Sequence, residues 1–151
     1  MTIKGSEDCI FCKLVNGQLP LSAVYEDDRV IGAMDIQPVN AGHVLIFPKI
    51  HAAHLADLPP DLGAHMFKVA MKLSGALRAS GVRCEGVNLM LADGEAAGQE
   101  IFHVHLHVFP RFEGDGFGFR FDESYFPLPE REELDEVAGK IRAALLQENR
   151  E

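Results

Sequence analysis

No apolar run in this 151-residue chain approaches the ~20 residues of a membrane-crossing helix. The stretch Met1–Asp8 lacks the apolar centre of a secretion signal. The expectation is a cytoplasmic protein with no membrane partner. Basic charge is also scarce, with 14 Lys and Arg against 23 Asp and Glu and a formal net charge of −9. That opposes a broad electrostatic grip on nucleic acid or an anionic membrane. A small anionic ligand stays open, because a few local donors suffice to hold a phosphate. Cysteine is sparse too: there are three. Cys84 stands alone and reads as a small buried residue. Cys9 and Cys12 form Cys-Ile-Phe-Cys, a spacing that in a cytosolic chain suggests zinc or a redox pair more than a structural disulfide. A thioredoxin-like site would normally follow a strand, and no strand pattern precedes Cys9. Internal repeats and a dividing linker are missing as well, so residues 1–151 read as one domain with a full apolar core.

What the chain does have is histidine in an unusual pattern. His103-Val104-His105-Leu106-His107-Val108-Phe109 alternates imidazole with apolar side chains. Such residues favour a strand, and a strand sends alternate side chains to opposite faces. The three rings are therefore expected on one face. Histidine titrates near neutral pH and can act as nucleophile, proton carrier or metal ligand. Ligands two apart on a strand are separated by roughly 6.6 Å, and ligands four apart by roughly 13 Å. With metal–nitrogen bonds of about 2.1 Å, three such rings do not converge on one ion. The row suits an extended substrate such as a phosphate chain. The competing reading is a stack of structural histidines.

The remaining pattern predicts a short helix or turn over 9–16, strands at Ser22–Tyr25, Arg29–Met34, His43–Pro48 and Gly86–Ala92, and the histidine strand at Ile101–Pro110. A long helix is predicted over Asp61–Ser80, with Gly81 at its C-terminal cap. Pro127–Pro129 opens a last amphipathic helix whose apolar face is Leu134, Val137, Ala138, Ile141 and Leu145. The fold class is α+β: an antiparallel sheet of about five strands, the long helix packed on one face, and a C-terminal helix. Gly114-Asp115-Gly116-Phe117-Gly118 is a flexible turn and not a phosphate loop, since no helix pattern follows it directly.

On these residues the chain resembles the histidine triad (HIT) family, in its bacterial Hint-like branch with an N-terminal Cys-x-x-Cys. Further segments carry the resemblance: Val24-Tyr25-Glu26-Asp27-Asp28, Asp35-Ile36-Gln37-Pro38, Gly42-His43-Val44-Leu45-Ile46-Phe47-Pro48-Lys49 and Ala97-Gly98-Gln99. The resemblance spans about residues 9–112, a core followed by an extension over 113–151. It implies a HIT-like fold and nucleotidyl hydrolysis or transfer at an α-phosphate. It makes His105 the nucleophile, His107 the contact to phosphoryl oxygens, His103 an orienting residue, and His43 the support of the same network. It assigns Asp35 to the ribose hydroxyls, and Ile10, Phe11, Leu14 and Ile36 to an apolar slot for the base, with Gln99 in the nucleotide-binding set. For Leu14 a plain core role competes equally. It also implies a structural zinc on Cys9, Cys12, His51 and His103, with no catalytic metal.

Two departures bear on the leaving group. Ala92 stands where many members carry Asn or Gln, and Glu100 where the phosphoramidase branch carries Ser. The expected substrates are purine nucleoside phosphoramidates or adenylyl conjugates. A dinucleoside polyphosphate hydrolase is the near alternative, and a nucleotide-binding scaffold or a metal-dependent enzyme the distant ones. A two-fold homodimer is also expected. Phe67, Met71 and Ala76 widen the apolar stripe of the long helix beyond what one sheet face needs.

Overall fold

The computed structural model describes residues 7–148. Eight main elements follow in chain order: α1 (Ile10–Val15), β1 (Ala23–Glu26), β2 (Val30–Met34), β3 (Val44–Pro48), α2 (Pro60–Ala79), β4 (Gly86–Met90), β5 (Leu106–Arg111) and α3 (Arg131–Glu148). The strands form one antiparallel sheet in the order β1-β2-β3-β5-β4.

Alternation along the strands sorts the core into two layers. Val30, Val44, Ile46, Leu106 and Val108 face α2, whose Leu62, Met66, Val69, Ala70, Leu73 and Leu77 are buried against them. Each aliphatic side chain so buried stabilises by ~1.5–3 kcal/mol before the entropic cost of ordering it. The alternate residues Ile31, Ala33 and Phe47 pack with Phe11 of α1. His107 alternates with Leu106 and Val108, and it pairs across the sheet with Leu45 of β3 and Met90 of β4. The sheet thus presents His107 on the α1 side. Gly42 sets the entry to β3. Its φ of +103° and the 3.0–3.2 Å separations that an added Cβ would make with Val82, Leu77 and Pro110 admit only glycine.

The histidine strand is shorter than the alternation predicts. Ile101–Pro110 reads as one strand, yet β5 begins only at Leu106. The His103 N–H donates to the Ile101 carbonyl (2.9 Å) and the Val104 N–H to the Ala52 carbonyl (2.8 Å). These bonds fold the segment toward the loop after β3, so His103 and His105 precede the ladder. Other boundaries move less. The long helix runs Pro60–Ala79 in place of Asp61–Ser80, and the fourth strand stops at Met90 short of Ala92. The last helix starts at Arg131, beyond the prolines.

The chain divides into two compact units, one ending at Phe117 and one beginning at Gly118. The turn after β5 belongs to the first because Asp115 fastens it. The Asp115 carboxylate accepts from Arg111 Nε (2.6 Å), Arg111 Nη2 (2.9 Å) and Asn40 Nδ2 (2.8 Å). In the second unit, Phe121 and Tyr125 stack with ring centroids 3.7 Å apart, and α3 carries no buried residue. No helix among the described residues is long and apolar enough to cross a membrane.

Candidate active site and metal centre

Hydrogen bonds to the backbone fix which nitrogen of each key ring carries the proton. The Nδ1 of His105 lies 2.7 Å from the carbonyl oxygen of His103. A carbonyl can only accept, so Nδ1 is the protonated nitrogen and the neutral ring keeps its lone pair on Nε2. That is the nucleophilic form of imidazole. The ring is nearly enclosed, packed on Phe11 at 4.9 Å and against His107 at 5.0 Å between centroids.

His103 has the opposite tautomer. Its Nε2 donates to the Pro48 carbonyl at 2.9 Å, which leaves the lone pair on Nδ1. Burial pushes the His103 pKa down to about 4, so the ring is neutral at pH 7. Nδ1 lies 3.4 Å from Cys9 Sγ, 3.7 Å from Cys12 Sγ and 3.3 Å from His51 Nδ1, while Cys12 Sγ lies 3.3 Å from His51 Nδ1. With metal–sulfur bonds of 2.3 Å and metal–nitrogen bonds near 2.1 Å, tetrahedral donors stand ~3.3–3.8 Å apart. These four separations fit that figure, all four donors lie within 4.8 Å of one another, and the Pro48 carbonyl supplies an outer contact that would orient a ligating ring. Helix α1 delivers Cys12, Cys9 caps it, the loop after β3 delivers His51, and the folded segment before β5 delivers His103.

His43 and His107 meet at 2.9 Å, Nε2 to Nδ1, and Asp35 Oδ2 lies 3.6 Å from the same His43 nitrogen. Burial pushes the His107 pKa down to about 4 and lowers that of His43, with Asp35 opposing both shifts. Asp35 Oδ1 accepts the Gln37 N–H at 2.8 Å, which holds the carboxylate in place.

A cavity of about 440 Å³ lies beside Asp35. Phe11, Leu14 and Ile36 line it together with Leu45 and Phe47 of β3. Ile36, 97% exposed, forms part of its rim. Ile10 lines a separate cavity with Cys9, His51 and Glu100. Gln99 is buried and its amide is spent on the chain itself. Oε1 accepts the Gly94 N–H (2.7 Å) and Nε2 donates to the Ala53 carbonyl (2.8 Å). The structure therefore gathers His43, His103, His105, His107, Asp35, Phe11, Leu14 and Ile36 around one region, whereas Ile10, expected in the apolar slot, lines the other cavity and Gln99 braces the backbone. His54 and His65 sit elsewhere, against Asp93 and Asp27. Sequence reasoning passed over Leu45 and Phe47, though their alternation on β3 marks them. The backbone partners at Val39, Pro48 and His103 leave no trace in residue type.

The HIT domain profile matches residues 16–114. An uncharacterised HIT-like protein of Borreliella burgdorferi is 46% identical over 75% of this chain and 82% of its own. The adenylylsulfatase HINT3 of Arabidopsis thaliana is 41% identical over 72% of this chain and 54% of its own length. The adenosine 5'-monophosphoramidase HNT1 of Candida albicans is 36% identical over 68% and 70%. Among solved structures, a HIT family protein of Bacillus anthracis superposes with a TM-score of 0.82 at 38% identity, covering 93% of this chain and 99% of that one. A zinc-bound histidine triad protein of Mycobacterium smegmatis does so at 0.72 and 42%, covering 96% and 98%. The chain belongs to the HIT family.

Proposed function

We propose that this protein is a nucleotidyl hydrolase that acts at the α-phosphate of purine nucleoside phosphoramidates or adenylyl conjugates. The observation that carries the reading is the 2.7 Å bond from His105 Nδ1 to the His103 carbonyl, which frees Nε2 for attack. In the first step Nε2 bonds to phosphorus, and the bond from phosphorus to the leaving amine or oxygen breaks as that group takes up a proton from solvent. In the second, water adds to phosphorus, gives up a proton to solvent, and the P–N bond to His105 breaks, releasing the nucleoside monophosphate. Dividing one displacement into two lowers each barrier. His107 stabilises charge on the phosphoryl oxygens. Asp35 Oδ2 accepts from the ribose diol, and Phe11, Leu14, Ile36, Leu45 and Phe47 hold the base in the 440 Å³ cavity. Relatives named as an adenylylsulfatase and a monophosphoramidase support chemistry at an adenylyl group.

The ion we assign to Cys9, Cys12, His51 and His103 is zinc, supported by the donor spacing and by the zinc-bound relative. It would tie α1 to the segment before β5 and hold the His103 carbonyl where His105 needs it. No step of the reaction runs through it. We read residues 1–151 as one functional domain working as a two-fold homodimer in the cytoplasm, without nucleic acid.

A panel of adenosine phosphoramidate, adenosine phosphosulfate and diadenosine polyphosphates tests the reading, assayed with and without chelator. His105→Ala serves as the blank. Preferred turnover of the phosphoramidate or phosphosulfate, with a nucleotidyl adduct on His105, supports it. Preferred turnover of the polyphosphates makes the protein a dinucleoside polyphosphate hydrolase. Binding with no turnover of any substrate makes it a scaffold.

A further inference from the structure

Asp35, His43 and His107 bring three ligating atoms within 4.8 Å of one another. Two imidazoles and a carboxylate are also a common metal-binding set, so a cation is the first occupant to consider. A metal needs a lone pair from each ring. The Val39 backbone N–H donates to His43 Nδ1 at 3.0 Å, which consumes the one lone pair of that neutral ring. His43 Nε2 therefore bears the proton. Among the described residues its only acceptor within hydrogen-bond distance is His107 Nδ1 at 2.9 Å, because Asp35 Oδ2 at 3.6 Å is too far. His107, neutral and accepting on Nδ1, carries its own proton on Nε2.

We propose that the Val39 backbone N–H is a positioning group which, through His43, fixes His107 as a neutral ring with a permanent donor at Nε2. The same bond makes the His43–His107 pair hold its protons in fixed places and excludes a cation from the Asp35–His43–His107 cluster. A metal at His43 Nε2 would demand an imidazolate or the loss of the Val39 bond. The contrast with His103 lies within the same protein: there a carbonyl takes the ring proton and leaves a lone pair facing two thiols, whereas here an amide takes the lone pair and leaves a proton.

The loop that carries Val39 is built to hold it. The Asp35 N–H donates to the His43 carbonyl (2.9 Å) and the His43 N–H to the Asn40 carbonyl (3.1 Å), closing residues 35–43 on themselves. Asn40 Nδ2 is anchored to the Pro110 carbonyl at 2.9 Å and to Asp115. Gly42 supplies the left-handed turn. An extra proton on the pair would set two donors face to face, at Val39–His43 or at His43–His107. Of the groups around the pair, Asp35 favours that charge, while His105 and burial oppose it, and the Phe109 ring stands 4.9 Å from His43. The consequence for catalysis rests on the proposed function, because the Nε2–H of His107 would then be a fixed donor to a phosphoryl oxygen.

Long-range proton–nitrogen correlation spectra of the full-length, zinc-loaded protein at neutral pH test the tautomers without any substrate. The expected spectrum shows His43 and His107 both neutral, each with a lone pair on Nδ1 and a proton on Nε2. A His43 protonated on Nδ1, or a doubly protonated ring in the pair, overturns the proposal. Exchange of Val39 for its α-hydroxy acid removes only the N–H. It should mix the His43 tautomers and lower kcat by about tenfold with KM little changed; unaltered tautomers overturn the proposal. Cobalt(II) added to the zinc-loaded protein should find no site in the cluster. An equivalent bound by the wild type and lost in Asp35→Asn overturns it. A protein that turned over no nucleotide would still give these spectra, so this inference and the proposed function fail separately.

Discussion

His105 donates its Nδ1 proton to the carbonyl oxygen of His103, two residues earlier, across 2.7 Å. The bond joins two centres. The His103 side chain faces Cys9, Cys12 and His51, while its backbone orients the ring that follows. A single residue therefore links the proposed metal-binding set to the ring proposed as nucleophile. The bond forms before the β-ladder begins at Leu106; in a regular strand the His103 carbonyl would be directed toward a neighbouring strand.

Replacing His105 should abolish turnover without unfolding the chain. His105→Ala and His105→Asn are expected to keep the wild-type circular dichroism spectrum and to bind nucleoside monophosphate, since the cavity beside Asp35 is untouched. Retention of more than about a tenth of wild-type kcat would reject the assignment of this ring as nucleophile.

Purified protein should contain about one zinc per chain. Stripping it, or changing Cys12→Ser, should lower the melting temperature more than it lowers kcat, because the proposed ion would tie α1 to the segment before β5 and no step of the proposed reaction runs through it. Elemental analysis and calorimetry decide. A protein free of zinc, with the Cys9 and Cys12 thiols both open to titration, counts against the centre.

How far the sequence foretold this arrangement depends on the kind of signal. The 3.6-residue spacing of Leu62, Met66, Val69, Ala70, Leu73 and Leu77 places α2 within a residue of its ends, because burial against a sheet imposes that period. The apolar run His43–Pro48 likewise identifies β3, which spans Val44–Pro48. Alternation misled at Ile101–Leu106, where backbone bonds to Ile101 and Ala52 override the strand pattern. Alternation set His105 and His107 on one face, whereas joining His43 and Asp35 to them came from the family resemblance. The ring tautomers were not legible, since these depend on the Val39 amide and the His103 carbonyl, which every residue type possesses. Ile10 shows the limit of assigning a pocket by motif: its neighbour Phe11 lines the cavity beside Asp35, while Ile10 points into the other.

Stability should rise with pH across the acid range because His43 and His107 are buried as neutral rings. The ordinary histidine pKa is 6.5, and folding lowers that of His107 to about 4. Between those values the unfolded chain binds a proton that the folded chain refuses, so the slope of stability against pH is positive there. The contribution is complete above pH 6.5 and declines as pH falls toward 4. His107→Gln, which keeps a polar side chain and cannot titrate, should flatten the melting-temperature profile in that window. A profile as steep as the wild type would show that other groups carry the acid sensitivity.

The last prediction concerns assembly. Helix α2 spends one face on the sheet, yet Phe67 and Met71 remain 56% and 63% exposed on that helix. They are four residues apart, hence neighbours on the helix surface. Large apolar residues left in water on one stripe mark a contact surface more often than chance. A second copy of the chain suits it, because a two-fold axis beside the helix sets each Phe67–Met71 stripe against its own image. Sedimentation equilibrium at micromolar concentration should give about twice the chain mass of 16.6 kDa. Phe67→Asp combined with Met71→Asp should return the value to 16.6 kDa, by placing like charges at the centre of the contact. Wild-type protein sedimenting as a single chain, or a double variant that still pairs, would reject α2 as the dimer surface.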